Sequence, residues 1–229
     1  MLNLIAQQHY NFILKHLSDS SRKIKILDTG CGKGNLTRKL QKCGFDVFAC
    51  DINDVARLKK PVHFKQVNLN YKLPYKNSSF DVIVCLEVIE HLENPWLLIS
   101  EFYRMLNDGG KLFISSPNLS NCLARIYYLF SGKLWLFKEH KTDHINPVSY
   151  WEIDSILKHA GFKDTILLEG VSVVSEVGMV TNIKSLLVKV IYNLVFRSWN
   201  LIHYITNINN DKLRILFKSY SYVIEAHKQ

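Results

Sequence analysis

Residues 24–35 read IKILDTGCGKGN, from Ile24 to Asn35. An apolar run ends in an acid, Asp28, and then breaks into three alternating glycines, Gly30, Gly32 and Gly34. A short apolar run bounded by turn residues reads as a buried strand. Glycines let the chain turn sharply and bring backbone N–H groups close to a ligand. NLTRKLQKCG follows with helical spacing and a glycine stop, so the unit is strand, glycine loop, helix. Lys33 is followed by Gly34 rather than by Ser or Thr, which excludes a phosphate loop of the GxxxxGK[ST] kind. The glycines run GxGxG and not GxGxxG, so the loop is not built to lay a pyrophosphate on the helix N-terminus.

Outward from this unit the alternation continues. DVFACD (46–51), VHFKQVN (62–68), SFDVIVCL (79–86) and GGKLFISS (109–116) read as strands. PWLLISEFYRMLNDGG reads as a helix, with Pro95 at its start and Gly109 just past its end. Strands alternating with helices predict an α/β fold with a parallel sheet covered on both faces. Ligands of such sheets sit outside the carboxyl ends of the strands. Four features fall there: Asp28 with its glycine loop, Asp51, Asn68, and the cluster Glu87, Glu90 and His91 within CLEVIEHLEN. A carboxylate at Asp51 can accept both hydroxyls of a ribose; its plainer role would be to cap a helix over INDVARL.

The blocks ILDTGCGKGN, ACDIN, LPYKNSSFDVIVCLEVIEHLENP and YRMLNDGGKLFISSPN, in this order, resemble the class I methyltransferases that use S-adenosylmethionine, over roughly residues 22–170 with a weaker match at the C-terminal end. The resemblance implies a Rossmann-like, seven-stranded, mostly parallel sheet whose last strand is antiparallel, with final strands near 165–169 and 220–226. It implies that Gly30, Cys31, Gly32, Gly34 and Asn35 wrap the methionine end of the cofactor, with Asp28 reaching its amino group. Asp51, with Ile52 beside it, would hold the ribose. Asn68 and Leu69 would face the adenine, and Leu86 would border the cofactor. Many relatives carry Asp where this chain has Asn68; an amide oxygen can still meet the adenine amino group.

Glu87, Glu90 and His91, if they begin a helical turn, lie on one face at spacings three and four. The cluster resembles the run after the fourth strand in ubiquinone-pathway O-methyltransferases. It also resembles that of the methyltransferases acting on the 3′-terminal ribose of small RNAs, where it binds a divalent metal with one more histidine. His144, within HKTDHINP, matches that extra histidine. Glu87, Glu90, His91 and His144 are therefore the candidate ligands for Mg²⁺, Mn²⁺ or Zn²⁺. His144, His91, Glu87 and His140 are the candidate catalytic groups, able to take a proton from an acceptor hydroxyl. His9, His16, His63 and His159 read as surface or core packing.

The remaining features bear on the acceptor. The chain has 229 residues, 48% of them hydrophobic, enough for one core. Its net charge of +9 suits an anionic partner, whether lipid, RNA or phosphorylated substrate. Five scattered cysteines make no disulfide framework or zinc knuckle. The N-terminal helix, 1–21, lacks the basic start and clean apolar run of a signal peptide, so a cytoplasmic chain is the expectation. Residues 119–148 form an aromatic insertion that would cover the acceptor. Residues 183–210 form an apolar, basic helical insertion without a charge-free run long enough to span a bilayer. Such a helix suits contact with the inner face of a membrane, a homodimer contact, or packing on the sheet. The leading expectation is O-methylation of a small or lipid-linked acceptor, glycan or quinone-like. The alternatives are a metal-dependent RNA ribose methyltransferase and a non-catalytic cofactor-binding subunit.

Overall fold

The computed structural model describes residues 2–17, 24–54, 62–134, 144–168, 194, 219 and 221–229. Among these, seven strands form one sheet in the order β3-β2-β1-β4-β5-β7-β6. The strands are β1 (Lys25–Thr29), β2 (Asp46–Asp51), β3 (His63–Gln66), β4 (Phe80–Leu86), β5 (Leu106–Pro117), β6 (Lys163–Leu168) and β7 (Ser221–His227). β1 pairs parallel with β2 and β4, β2 with β3, and β4 with β5, while β7 runs antiparallel between β5 and β6. The seven-stranded sheet with an antiparallel last strand is the one the sequence led us to expect.

Side chains alternate between two cores. Ile26, Val82, Val84 and Phe113 pack on one face with Ile13 and Leu17 of α1 (Leu2–Leu17) and Leu36 and Leu40 of α2 (Asn35–Lys42). Leu27, Ile83, Cys85 and Ile114 pack on the other with Leu98, Ile99 and Phe102 of α3 (Pro95–Met105) and Ile153, Ile156 and Leu157 of α5 (Tyr150–Ala160). The two-residue period of the strands produces this division. Because both faces are covered, the central strand β4 is apolar almost throughout.

Local chemistry sets the helix ends. Asn94 caps α3 by accepting from the Leu97 N–H, with Pro95 in the first turn. Ser149 caps α5 by accepting from the Glu152 N–H, and Gly161, at φ 103°, ends it. α3 stops at Met105, short of the Gly109 terminus that the sequence suggests. Leu106 already pairs with Phe80, and the ladder shifts register before Val82 meets Lys111. Gly110 allows that crossing, since a Cβ there would sit 2.7 Å from the Asn107 carbonyl oxygen. Within the 119–148 insertion, α4 (Cys122–Ser131) is helical, and residues 135–143 lie outside the described residues. Of the 183–210 segment only Leu194 is described. The five cysteines are free, and Cys50, Cys85 and Cys122 are buried. No helix among the described residues is long and apolar enough to cross a membrane.

Candidate functional site

The glycine loop leaves β1 in three left-handed steps, with φ 63° at Gly30, 51° at Gly32 and 70° at Gly34. A side chain is strained in that region. At Gly30 the reason is also steric, because a Cβ would lie 2.5 Å from Cγ2 of Val88. The same β-carbon at Gly32 would meet nothing within 4 Å. The loop is tied to the second strand by the Cys31 N–H, which donates to the Cys50 carbonyl at 3.1 Å, and by the Gly32 N–H, which donates to Oδ2 of Asp51 at 2.8 Å. Oδ1 of Asp51 accepts from the Asn53 N–H at 2.9 Å. The Asn53 side-chain amide also donates to Oδ1, at 3.3 Å, so Asp51 keeps its open acceptor direction on Oδ2 for a ligand.

Asp28 lies below the loop, buried, with Thr37 Oγ1 of α2 donating to its Oδ2 at 2.5 Å. Burial raises its pKa to about 7, the Thr37 hydroxyl opposes that, and the charge of Asp51 adds to it. A cation beside Asp28 would favour the carboxylate. At the ends of β2 and β3, Leu69 is buried, Ile52 is exposed, and Oδ1 of Asn68 accepts from the Asn70 N–H at 3.0 Å. Asp28, the loop, Asp51 with Ile52, and Asn68 with Leu69 thus line the carboxyl edge of β1, β2 and β3, as the sequence placed them. Leu86, half-buried, ends β4 beside them.

The cluster after β4 differs from the expected helical turn. Glu87 is in the left-handed region, at φ 53°, and a single 3₁₀ turn, Ile89–His91, begins only after it. Glu87 is turned instead toward the ends of β5 and β7. Its N–H donates to Oγ of Ser115 at 2.9 Å, and its Oε1 accepts from Ser115 at 2.8 Å and from Ser221 at 2.7 Å. Glu90 points into the protein, where burial and the neighbouring charge of Glu87 raise its pKa well above the usual carboxyl range. Its Oε2 has no hydrogen-bond partner among the described residues.

Donor atoms of Glu90, His91 and His144 lie within 4.8 Å of one another, with the two imidazole centroids 4.6 Å apart. Side-chain rotation can close that spread to the roughly 3.4 Å between ligands of a tetrahedral site with bonds of about 2.1 Å. The Asn146 N–H donates to the Glu90 carbonyl and its amide to the Leu92 carbonyl, which fastens the His144 segment to the turn. Three of the four expected ligands therefore converge. Glu87, bound to two serines, stands apart from them. His140 lies outside the described residues.

Three further groups belong to this end of the sheet and were not singled out from the sequence. Ser115 ends an apolar strand, and Ser221 opens β7, whose antiparallel course brings its first residue to the carboxyl ends of the others. His9, read as packing, is buried in α1 but lies with Nδ1 3.9 Å from Oε1 of Glu87. His9, Ile13 and Leu17 recur every four residues, so the signal was a polar ring on an apolar helix stripe.

Residues 6–166 match the family model for the methyltransferase domain. Among characterised relatives, the chain is 26% identical over 151 residues to a ubiquinone biosynthesis O-methyltransferase of Psychrobacter arcticus, covering 60% of this chain and 58% of that one. It is 36% identical over 118 residues to the enzyme of the same name in Coxiella burnetii, covering 47% and 49%. The aligned region thus spans about half the length of these relatives. A solved S-adenosylmethionine-dependent methyltransferase from Archaeoglobus fulgidus superposes with a TM-score of 0.63 at 20% identity, over 97% of this chain and 94% of that one; this is a likeness of fold.

Proposed function

The chain belongs to the S-adenosylmethionine-dependent methyltransferase domain family, and we propose that it transfers a methyl group to a hydroxyl of a small or lipid-linked acceptor, quinone-like or glycan. The observation that carries the cofactor half is the bond from the Gly32 N–H to the buried Asp51 carboxylate, closing a loop whose three glycines are all left-handed. The residues fit S-adenosylmethionine. Asp51 retains an acceptor direction on Oδ2 for a ribose hydroxyl, Ile52 offers an exposed apolar face, and Asp28 offers a carboxylate to an ammonium group. When bound, the cofactor supplies an electrophilic methyl carbon on a positively charged sulfur.

The chain's own residues have two tasks. Glu87, Glu90, His91 and His144 stand beyond the end of β4, where an acceptor hydroxyl must be oriented and relieved of its proton. Alignment with water excluded does most of the remaining work, since a well-held pair of reactants reacts as a single molecule. Oxygen as the methylated atom is supported by these proton acceptors and by the names of the relatives in Psychrobacter arcticus and Coxiella burnetii. An apolar acceptor is supported by α4, where Tyr128, Leu129 and Phe130 are exposed in succession. With the apolar, basic sequence of 183–210 they favour a cytoplasmic protein that contacts the inner face of a membrane. The converging Glu90, His91 and His144 support a second reading, in which a divalent cation lowers the pKa of the acceptor hydroxyl.

The test is an untargeted transfer assay. Purified protein and methyl-labelled S-adenosylmethionine are incubated with separate lipid, RNA and small-metabolite extracts, each with and without EDTA. Label is expected in the lipid or small-metabolite fraction. Label in RNA alone would overturn the acceptor and make the +9 charge a phosphate-binding surface. Cofactor binding without transfer to any fraction would favour a non-catalytic subunit. Loss of transfer in EDTA, restored by Mg²⁺ or Mn²⁺, would establish the cation.

A further inference from the structure

The N-terminal helix carries one group that neither packing nor cofactor binding explains. His9 is only 2% exposed, and neither of its ring nitrogens has a hydrogen-bond partner among the described residues. It continues the buried stripe of Ile13 and Leu17, where an apolar residue would fill the same place without stranding two polar atoms. Its Nδ1 lies 3.9 Å from Oε1 of Glu87, too far for a hydrogen bond and near enough for charge to act. Glu87 is itself held in an uncommon backbone conformation, with Ser115 and Ser221 fixing Oε1. Among the described residues these serines are the hydrogen-bond partners of its carboxylate, and they leave Oε2 for an incoming group.

We infer that His9 is a positioning residue for Glu87, so that α1 carries part of the acid–base unit of methyl transfer; this rests on the methyl-transfer reading above. In the transfer the acceptor O–H bond breaks and its proton passes to Oε2 of Glu87, while the His9 ring stands 3.9 Å from Oε1 and sets the surroundings of that carboxyl. The acceptor oxygen forms the new bond to the methyl carbon, and the carbon–sulfur bond breaks with its electrons kept on sulfur. The Glu87 side chain is 27% exposed, and the proton leaves from it to solvent. Burial lowers the pKa of His9 and the charge of Glu87 opposes that. Glu87 is the charged group acting on His9 directly. Asp28, at the end of β1, acts on the adjacent Tyr10, and Lys39 of α2 lies over the Tyr10 ring. On its other side the charge of Glu87 acts on Glu90 and Tyr222.

The experiment follows the ring nitrogens of ¹⁵N-histidine-labelled protein by NMR across pH, in the wild type and Glu87→Gln, with His9→Gln to assign the signal. S-adenosylhomocysteine affinity of each sample reports the fold and the cofactor site. Glu87→Gln is expected to lower the His9 midpoint by at least half a unit, a threefold change in its protonation constant. In the labelled-transfer assay with lipid extract, His9→Gln is expected to slow transfer at least thirtyfold and to flatten the acid limb of its pH profile. An unmoved His9 midpoint in Glu87→Gln, or a His9→Gln variant with wild-type transfer across the pH range, would overturn the inference. Wild-type protein that binds no S-adenosylhomocysteine would overturn the methyl-transfer reading instead, while the Glu87→Gln shift still decides whether the pair exists.

Discussion

The two halves of the carboxyl edge are built on opposite terms. At β1 and β2 the carboxylates are engaged: Asp51 ties down the loop and Asp28 receives Thr37. At β4, β5 and β7 several buried polar atoms lack a partner among the described residues: both ring nitrogens of His9, Oε2 of Glu90 and the hydroxyl of Tyr150. A bonded carboxylate holds its backbone in place, so the first half is set before any ligand arrives. A buried polar atom without a partner costs about 1–3 kcal/mol. A fold that keeps several of them together at one end of the sheet, beside Glu87, Glu90, His91 and His144, favours polar chemistry at that end.

The largest effect is expected where the rigid half touches the other. Gly30 meets Val88, the residue between Glu87 and the 3₁₀ turn. Gly30→Val adds the cost of a left-handed side chain, roughly 1–2 kcal/mol, to overpacking of about 1–3 kcal/mol. A total near 3 kcal/mol should appear in denaturant unfolding, together with loss of S-adenosylhomocysteine binding. Gly32→Ala, with open space at its Cβ, should cost only the backbone part, about 1 kcal/mol. Equal losses in the two variants would mean that Val88 yields freely and that the halves are not coupled there.

This division also explains what could be read without a structure. The cofactor half is local: an acid, three glycines within five residues, and a second acid at the next strand end all lie within Asp28–Asp51. Apolar runs located the first five strands to within a few residues, and the family resemblance located the last two. The other half is assembled from α1, β4, β5, α5 and β7, and the separation from His9 to Ser221 exceeds 200 residues. No pattern along the chain announces that Ser221 faces Glu87, because that follows from the antiparallel course of β7. The helical turn expected at 87–91 failed for a local reason: Glu87 takes a left-handed conformation that few non-glycine residues adopt. Its carboxylate then follows Ser115 and leaves the metal-ligand set.

A smaller effect tests whether the rigid half is also electrostatically ready. With the Asp28 pKa at about 7, the carboxylate is mostly protonated at pH 6 and mostly charged at pH 8. A bound ammonium group favours the charged form, so binding should release a proton and tighten as pH rises. S-adenosylhomocysteine affinity should weaken about tenfold from pH 8 to pH 6. Asp28→Asn should bind weakly at both and lose that slope. A flat wild-type profile would show that Asp28 is ionised before the ligand arrives.

The smallest effect concerns the half left unbonded, and it separates two accounts of Glu90. Its pKa is raised by burial, so the folded protein holds the Glu90 proton over a range where the unfolded chain has released it. Stability from this group is therefore complete below the unfolded carboxyl pKa and declines as pH rises toward the folded value. Glu90→Gln removes the titration while keeping the shape. The wild type should lose stability relative to Glu90→Gln between pH 5 and pH 8 in the presence of EDTA, as measured by urea unfolding. A divalent cation held by Glu90, His91 and His144 would reverse the sign, because a metal favours the carboxylate that burial opposes. Added Mn²⁺ or Zn²⁺ should then raise wild-type stability at pH 8 and leave Glu90→Gln nearly unchanged. If the ion has no effect on the wild type, Glu90 acts as a protonated, buried hydrogen-bond donor, and the unbonded half of the edge is an acceptor pocket rather than a metal centre.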